Sequence, residues 1–138
     1  MQITKNYPKI IKIINRKRWT KDKFRKELTK QKIPKDKQEL IISEMEEYDI
    51  INDKTWAITY MEKGNSKIKG NKLIRQELTN SGINQTIVNT VLKSRNEDKA
   101  CIAAINYIQK NKETKKIYNY LVQRGFSYDI IQKNFDIY

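Results

Sequence analysis

The strongest constraint on the fold of this chain is a helix ending that occurs three times along it. The three copies cover Leu28 to Ile33, Leu78 to Ile83 and Leu121 to Phe126, and an amphipathic helix follows each one. The first two leucines lie 50 residues apart and the last two lie 43 apart, a period typical of modular helical arrays. Because each unit of an array contacts mainly its neighbours, we expect an extended surface rather than one closed pocket.

The turn residues of these endings support the same interpretation. Gly82 and Gly125 stand where a helix C-terminus favours a left-handed residue, and Asn84 and Ser127 are candidate N-caps for the helices that follow. Lys32 takes the corresponding position in the first copy. A left-handed lysine costs about 1 kcal/mol, so we expect Lys32→Gly to stabilise the protein.

Apolar periodicity along the chain predicts an all-α fold of nine helices. Helix one covers about 7–17, helix two begins at Thr20, helix three begins at Pro34, and Asn52 or Asp53 caps helix four. Helix five covers about 71–81 and helix seven about 96–111, while Gly64 to Gly70 is the clearest loop. Three helices per unit divide the chain into three helix-turn-helix-like repeats at 1–52, 53–94 and 95–138.

Charge is high and unevenly distributed. The formal net charge is +13, with +11 in residues 1–38, −6 in 39–62, +6 in 63–95 and +2 in 96–138. Two basic zones are therefore separated by an acidic helix. The positive excess favours a polyanionic partner, and the acidic interruption favours a surface that also contacts protein.

The residue inventory excludes several chemistries. The sequence contains no His, which removes Ser-His and Cys-His nucleophiles and His-ligated metals. The stretch 64–72 fails as a phosphate loop, because Gly70 is not followed by Lys and then Ser or Thr, and no buried strand precedes it. The acids of 39–53 have the spacing of an exposed helix face. We expect no catalytic residue, no metal site and no cofactor.

Cysteine usage and hydropathy predict a cytoplasmic protein that does not enter a membrane. We also expect a monomer. The lone Cys101 excludes an internal disulfide, fits a reducing compartment, and lies among small and apolar residues as a packed thiol. The longest apolar run, Cys101 to Ile105, is far shorter than a membrane span. Lys9, Lys12 and Arg16 interrupt any signal-peptide core. A first helix lying on a membrane surface is the alternative to one packed in the core.

Two clusters of cations are the candidate binding residues. Charges at the turns and helix starts of successive units can align into a track, which is all that phosphate contacts require. One cluster surrounds the turn between helices one and two, and the other surrounds the start of helix five; the candidates are Arg16, Lys17, Arg18, Arg25 and Lys26, and Lys67, Lys69, Lys72 and Arg75. The aromatic side chains mostly fall on apolar helix faces, so we interpret them as core.

Three ordered segments carry a resemblance to a known family. They are YDIINDKTWAITYM (48–61), KGNKLIRQELTNSGI (69–83) and LVQRGFSYDII (121–131). In them the chain resembles the RecX family of bacterial recombination regulators, over about residues 9–135. The middle segment is the most specific, since a Lys-Gly pair, a basic helix start and the spacing of Glu77, Leu78 and Gly82 form a long ordered pattern.

The resemblance implies an elongated, curved array that binds the RecA filament in its groove on single-stranded DNA. It further implies inhibition of ATP hydrolysis, strand exchange and coprotease activity, and hence a role in homologous recombination, DNA repair and the SOS response. Lys69, Lys72 and Arg75 become the first candidates for contact with the filament or its DNA, and Arg124 beside Gly125 is added as another. Lys32 and Asn52 depart from the family pattern.

Two other functions fit the residues. A three-helix unit with a basic second hairpin resembles helix-turn-helix architecture, so a free-standing DNA-binding protein is the main alternative. It would bind duplex DNA by itself with sequence preference, whereas a filament regulator would act strongly only with RecA. A structural adaptor without nucleic acid is the other, and it would show no dependence of binding on salt.

Overall fold

The computed structural model describes residues 1–109 and 114–135. Within these ranges the chain is all-α, as predicted, with nine α-helices and two short 3-10 helices at Thr4–Asn6 and Gly64–Ile68. The α-helices are α1 (Pro8–Ile14), α2 (Lys21–Lys30), α3 (Lys35–Glu47), α4 (Asp53–Met61), α5 (Asn71–Asn80), α6 (Gln85–Lys93), α7 (Glu97–Ile108), α8 (Thr114–Gln123) and α9 (Tyr128–Asn134).

Several predicted boundaries need correction. The expected loop from Gly64 to Gly70 contains the second 3-10 helix, in which Ser66 is buried. Helix one is shorter than 7–17 because Pro8 begins it and Asn15 caps its end, and Pro34 lies just before α3 rather than inside it. Helix seven ends at Ile108, whereas the predicted end at 111 falls outside the described residues.

The buried apolar side chains form three separate clusters along the chain. The first extends from Ile10 to Ile51, the second from Ala57 to Leu92 and the third from Ala100 to Ile131. We call α1–α3, α4–α6 and α7–α9 the first, second and third units. The division at residues 52 and 94 stays a prediction, although both positions fall between clusters.

The molecule has more surface than a compact protein of its mass. Its accessible surface is 9084 Å², about one fifth above the roughly 7,500 Å² expected for a compact chain of this size. Three small cores in a row expose more surface than one large core, so the excess agrees with the predicted array.

The repeated helix ending is a single backbone motif. Three hydrogen bonds of 3.1 Å close the endings: Ile33 N–H donates to Leu28 O, Ile83 N–H to Leu78 O, and Phe126 N–H to Leu121 O. The residue before each of these donors is left-handed, with φ of 62° at Lys32, 83° at Gly82 and 92° at Gly125. This is the Schellman arrangement, which satisfies carbonyls that the helix end would leave free.

Contacts between units explain why two of the endings have glycine and the first has lysine. A Cβ added to Gly82 would lie 2.4 Å from the Cβ of Asp22, at the start of α2, and one added to Gly125 would lie 2.5 Å from the Cβ of Leu73, in α5. Each glycine therefore meets the second helix of the preceding unit. Lys32 is exposed, so its position demands a positive φ but no close approach.

The same junctions share an acidic cap. Asp53 Oδ1 accepts a hydrogen bond of 2.8 Å from Lys21 N–H, and Glu97 Oε2 accepts one of 2.7 Å from Asn71 N–H. Each acid is the first residue of one unit's first helix and caps the preceding unit's second helix. The carboxylate thus lies at two helix N-termini, where negative charge is favourable. Burial nonetheless raises the pKa of Asp53 against the effect of the Lys21 N–H.

Backbone contacts strengthen the junction between the second and third units. Gly70 N–H donates to Arg124 O at 2.7 Å, and Lys72 N–H donates to Gly125 O at 3.2 Å. The guanidinium of Arg95 also donates to Asn71 Oδ1 at 2.8 Å. These bonds join the start of α5 to the turn between α8 and α9, so the two units are held in a fixed orientation.

Glu44 fastens the N-terminal residues to α3. Its carboxylate accepts hydrogen bonds from the backbone N–H groups of Gln2, Ile3 and Thr4 at 2.6–2.8 Å and from the Thr4 hydroxyl at 2.6 Å. Burial opposes the charged form, but these four bonds together outweigh it and lower the pKa of Glu44 to about 2.

Candidate nucleic-acid and protein interface

The connection from α1 to α2 presents three exposed cations. Arg16, Lys17 and Arg18 are all exposed. Lys17 Nζ lies 4.4 Å from the centroid of the Trp19 ring, a cation–π distance. The cluster predicted at this turn is therefore present at the surface.

The two candidates on α2 are held within the first unit. Arg25 Nε lies 2.9 Å from Glu39 Oε1 on α3, and Lys26 Nζ lies 3.2 Å from Asp22 Oδ2 one turn earlier. The hydrogen bond to Glu39 raises the pKa of Arg25, and the same bond lowers that of Glu39. Since Lys26 is the more exposed of the two, with 77% of its side chain accessible, it is the better candidate for an external contact.

Lys69 lies in an internal ion pair. Its Nζ is 2.8–2.9 Å from both carboxylate oxygens of Glu77, and only 14% of its side chain is exposed. Tyr60 donates its hydroxyl to Glu77 Oε1 at 2.7 Å, and burial together with this carboxylate raises the pKa of Tyr60 to about 12. This pairing gives Lys69 a structural role in the second unit and makes it a weaker candidate for an external contact than the sequence suggested.

Lys67, Lys72 and Arg75 are exposed on the second unit. Arg75 donates to Asn89 Oδ1 on α6 at 2.7 Å. Lys67 and Lys72 form no ion pair with any acid in the described ranges. They are the better candidates of this cluster, because a cation without an internal partner loses no ion pair when it contacts phosphate.

Arg124 lies at the junction of the second and third units. Its Nη2 donates to Asn65 O at 3.3 Å, and its guanidinium carbon lies 5.8 Å from the centroid of the Tyr120 ring. Its Nε is buried without a hydrogen-bond partner among the described residues. These contacts indicate that Arg124 positions the Gly64–Ile68 segment.

The two basic zones meet at a cavity between the first and second units. The cavity has a volume of about 250 Å³ and is lined by Arg18, Trp56, Thr59, Tyr60 and Lys63. A smaller cavity of about 100 Å³ shares Arg18 and Trp56. Sequence reasoning missed Lys63 as a candidate and assigned Trp56 and Tyr60 to the core alone. Both aromatic residues do pack against the second apolar cluster, yet they also line this opening.

A larger cavity of about 490 Å³ lies between α4 and α7. Its lining combines apolar residues such as Ile58, Met61 and Ala103 with the cations Lys67, Arg95 and Lys99. Burial lowers the pKa of Arg95, whose guanidinium also donates to Ser66 O at 2.9 Å. Arg95 therefore supports the junction between units as well as lining the cavity.

The lone cysteine, a possible metal site and a possible membrane span remain to be considered in the described part of the chain. Cys101 is buried, and burial raises the pKa of its thiol to about 11, so it stays protonated at neutral pH. The described ranges contain no group of three His, Cys, Asp or Glu side chains placed to hold a metal ion. No helix in the described part of the chain is long and apolar enough to cross a membrane.

Comparison with known proteins finds RecX proteins similar to this chain. Residues 108–133 match the family model of the third three-helix domain of RecX. A crystal structure of RecX from Lactobacillus salivarius superimposes with a TM-score of 0.77 at 27% identity, covering 96% of this chain and 93% of that one. The chain is similar to RecX over nearly its whole length and shares the RecX fold.

Curated RecX relatives show the same similarity in sequence. Regulatory protein RecX of Bacillus cytotoxicus is 27% identical over 95% of this chain, and that of Clostridium botulinum is 27% identical over 93%. The chain spans 53% of the length of the first relative and 68% of the second. RecX relatives are thus named as regulatory proteins and not as enzymes.

Proposed function

We propose that this chain binds a RecA filament assembled on single-stranded DNA and inhibits its ATPase, strand-exchange and coprotease activities. The similarity of the chain to RecX proteins, whose curated members are named regulatory proteins, is the observation that carries the proposal. No site for chemistry is needed for such a function, since binding energy alone can shift a filament between conformations.

The charge pattern of the surface supports a nucleoprotein partner. Exposed cations of the first and second units, including Arg18 and Lys67, suit DNA phosphates. The exposed acids of α3, such as Glu46 and Glu47, suit basic patches on a protein. A nucleoprotein filament offers both kinds of surface, whereas naked DNA offers only one.

The rigidity of the unit junctions supports a mechanical mode of inhibition. The acidic caps at Asp53 and Glu97 and the bonds of Gly70 limit rotation between units. A stiff array that lies across neighbouring RecA protomers would resist the change in spacing between them. Inhibition would then follow from differential affinity for one filament conformation.

The direct test is RecA ATPase activity on single-stranded DNA with and without this protein. The wild-type chain should inhibit the ATPase. A variant with Lys67→Glu and Lys72→Glu should inhibit it less, because the introduced carboxylates would repel the phosphates at the proposed contact. A matched control with Lys35→Glu and Lys116→Glu carries the same change of charge at exposed positions outside the candidate set and should inhibit normally.

The outcomes separate the proposal from its rival. ATPase activity that is unchanged by saturating wild-type protein would refute filament regulation. Tight, sequence-dependent binding to duplex DNA without RecA would instead favour the free-standing DNA-binding function. Lys69 is left unchanged in these variants, because reversing it would place two carboxylates together in a partly buried site.

A further inference from the structure

The cavity between the first and second units contains a pair of stacked aromatic rings. Trp56 and Tyr60 lie one turn apart on α4, with ring centroids 5.3 Å apart and an interplanar angle of 9°. Both line the cavity of about 250 Å³, which we call the Trp56 cavity. Arg18 and Lys63 line it too and come from different units.

We propose that the Trp56 cavity binds one unstacked base of single-stranded nucleic acid, with Arg18 and Lys63 contacting the flanking phosphates. This goes beyond the proposed function, since the binding belongs to the chain by itself and needs no RecA. The combination of an aromatic platform with a basic groove is how proteins hold single strands without reading their sequence.

The size of the cavity fits a base better than a larger ligand. Pockets that enclose a drug-sized molecule have about 300–1,000 Å³, and this cavity lies just below that range at about 250 Å³. One planar ring system can enter it while the sugar and phosphates remain outside. Duplex DNA cannot supply such a ring without unpairing a base, so a single strand is the favoured ligand.

The aromatic pair is fixed before any ligand binds. Tyr60 is held by its hydroxyl bond to Glu77, and Lys69 Nζ lies 5.9 Å from the centroid of its ring. Trp56 packs against the second apolar cluster. Little side-chain freedom is lost on binding, which favours affinity.

The charges around the opening are of both signs. Arg18 and Lys63 form no ion pair with the acids in the part of the chain that the structure describes. Asp49 and Asn52 line the adjacent small cavity with Arg18, and the Asn52 amide donates to Asp49 Oδ1 at 2.8 Å. Asp49 therefore weakens the attraction of a phosphate to Arg18, and the phosphate at Lys63 is expected to be held more closely than the one at Arg18.

An abasic strand provides the decisive comparison because it keeps the phosphates and removes the bases. Fluorescence anisotropy would measure binding of the wild-type protein, without RecA, to a labelled oligothymidylate of about 15 nucleotides and to an abasic strand of equal length. We expect the strand with bases to bind at least about fivefold more tightly, as stacking of one base predicts. Equal affinities, within about twofold, would show charge attraction alone and overturn the proposal.

Variants locate the effect in the cavity. Trp56→Leu should reduce the preference for bases over abasic sites, Trp56→Phe should keep part of it, and Arg18→Gln should weaken binding to both strands. Lys116→Gln, an equal charge change on exposed α8, is the matched control. Circular dichroism of each variant checks folding. A preference that survives Trp56→Leu in a folded protein would place the base elsewhere and overturn the assignment.

The result is separable from that of the ATPase test. If the wild-type protein fails to inhibit RecA but binds strands with bases more tightly than abasic strands, the proposed function is rejected and the base site is kept. If the protein inhibits RecA but binds both strands equally, the proposed function is kept and the base site is rejected.

Discussion

Replacing Gly70 by alanine tests whether close approach between units, rather than backbone conformation, determines where glycine is needed. Gly70 has an ordinary φ of −78°, so alanine is not strained there by the backbone. A Cβ at this position would nevertheless lie 2.2 Å from Gly125 O and 2.4 Å from Phe126 N. Ordinary contacts need about 3.5–4.0 Å, so the third unit would have to move away by more than about 1 Å.

The cost of that movement follows from the bonds it breaks. Separation of this size disrupts Gly70 N–H to Arg124 O and Lys72 N–H to Gly125 O, and each such bond contributes about 0.5–1.5 kcal/mol. Overpacking adds about 1–3 kcal/mol. We expect Gly70→Ala to lower the free energy of unfolding by about 2–6 kcal/mol, which shifts the urea midpoint by about 1–3 M.

Gly64 provides the matched control. It has a positive φ of 51°, but an added Cβ would have no neighbour within 4 Å. Gly64→Ala therefore isolates the conformational cost of about 1 kcal/mol. Urea unfolding followed by circular dichroism compares the two variants. A loss for Gly70→Ala equal to or below that for Gly64→Ala would refute the role of close packing.

Three further changes have defined outcomes. Lys32→Gly relieves the strain of a lysine in left-handed backbone conformation, at a position that no neighbouring unit approaches. Urea melts should therefore show up to about 1 kcal/mol of added stability. An unchanged or lowered midpoint would contradict this. Glu44→Gln should lower the free energy of unfolding by about 1–2 kcal/mol at pH 7, after allowance for solvent screening. Because the pKa of Glu44 in the folded protein is lowered to about 2, the difference in stability from wild type should shrink as pH falls from about 5 towards 2. A difference that does not depend on pH would refute the role of the carboxylate. Lys69→Met leaves Glu77 without its cation and should cost about 1–3 kcal/mol, whereas the exposed control Lys72→Met should change the urea midpoint little.

Local sequence signals predicted the helix endings and caps because the hydrogen bonds that form them join residues close together in the chain. The Schellman bonds join residues only five apart, and the N-caps at Asn84 and Ser127 accept from N–H groups two or three residues ahead. A glycine or a short polar side chain therefore marks them in the sequence. The 3-10 helix at Gly64–Ile68 has no such signal, because it depends on Ile68 packing against the third apolar cluster.

The candidate site was predicted less well, for a reason visible in α4. Its residues Trp56, Ala57, Ile58, Tyr60 and Met61 are apolar around much of the helix, so periodicity cannot tell which aromatic ring lines a cavity and which is buried. The ion pair between Lys69 and Glu77 also has no signal in the sequence, because the two residues lie eight positions apart on either side of the start of α5. Arg18 and Lys63 lie far apart in sequence and meet only because two units pack together.

The sequence by itself determined the helices, the threefold ending and the similarity to RecX, since these depend on residue type and on spacing within a few turns. The tertiary structure alone decided how the units join. Asp53 and Glu97 cap helices of the preceding unit, and Gly82 and Gly125 approach the second helix of that unit. Such contacts join residues 26 to 60 positions apart, a separation at which no local preference acts. They explain why the first ending tolerates Lys32, and they decide which cations remain available to a partner.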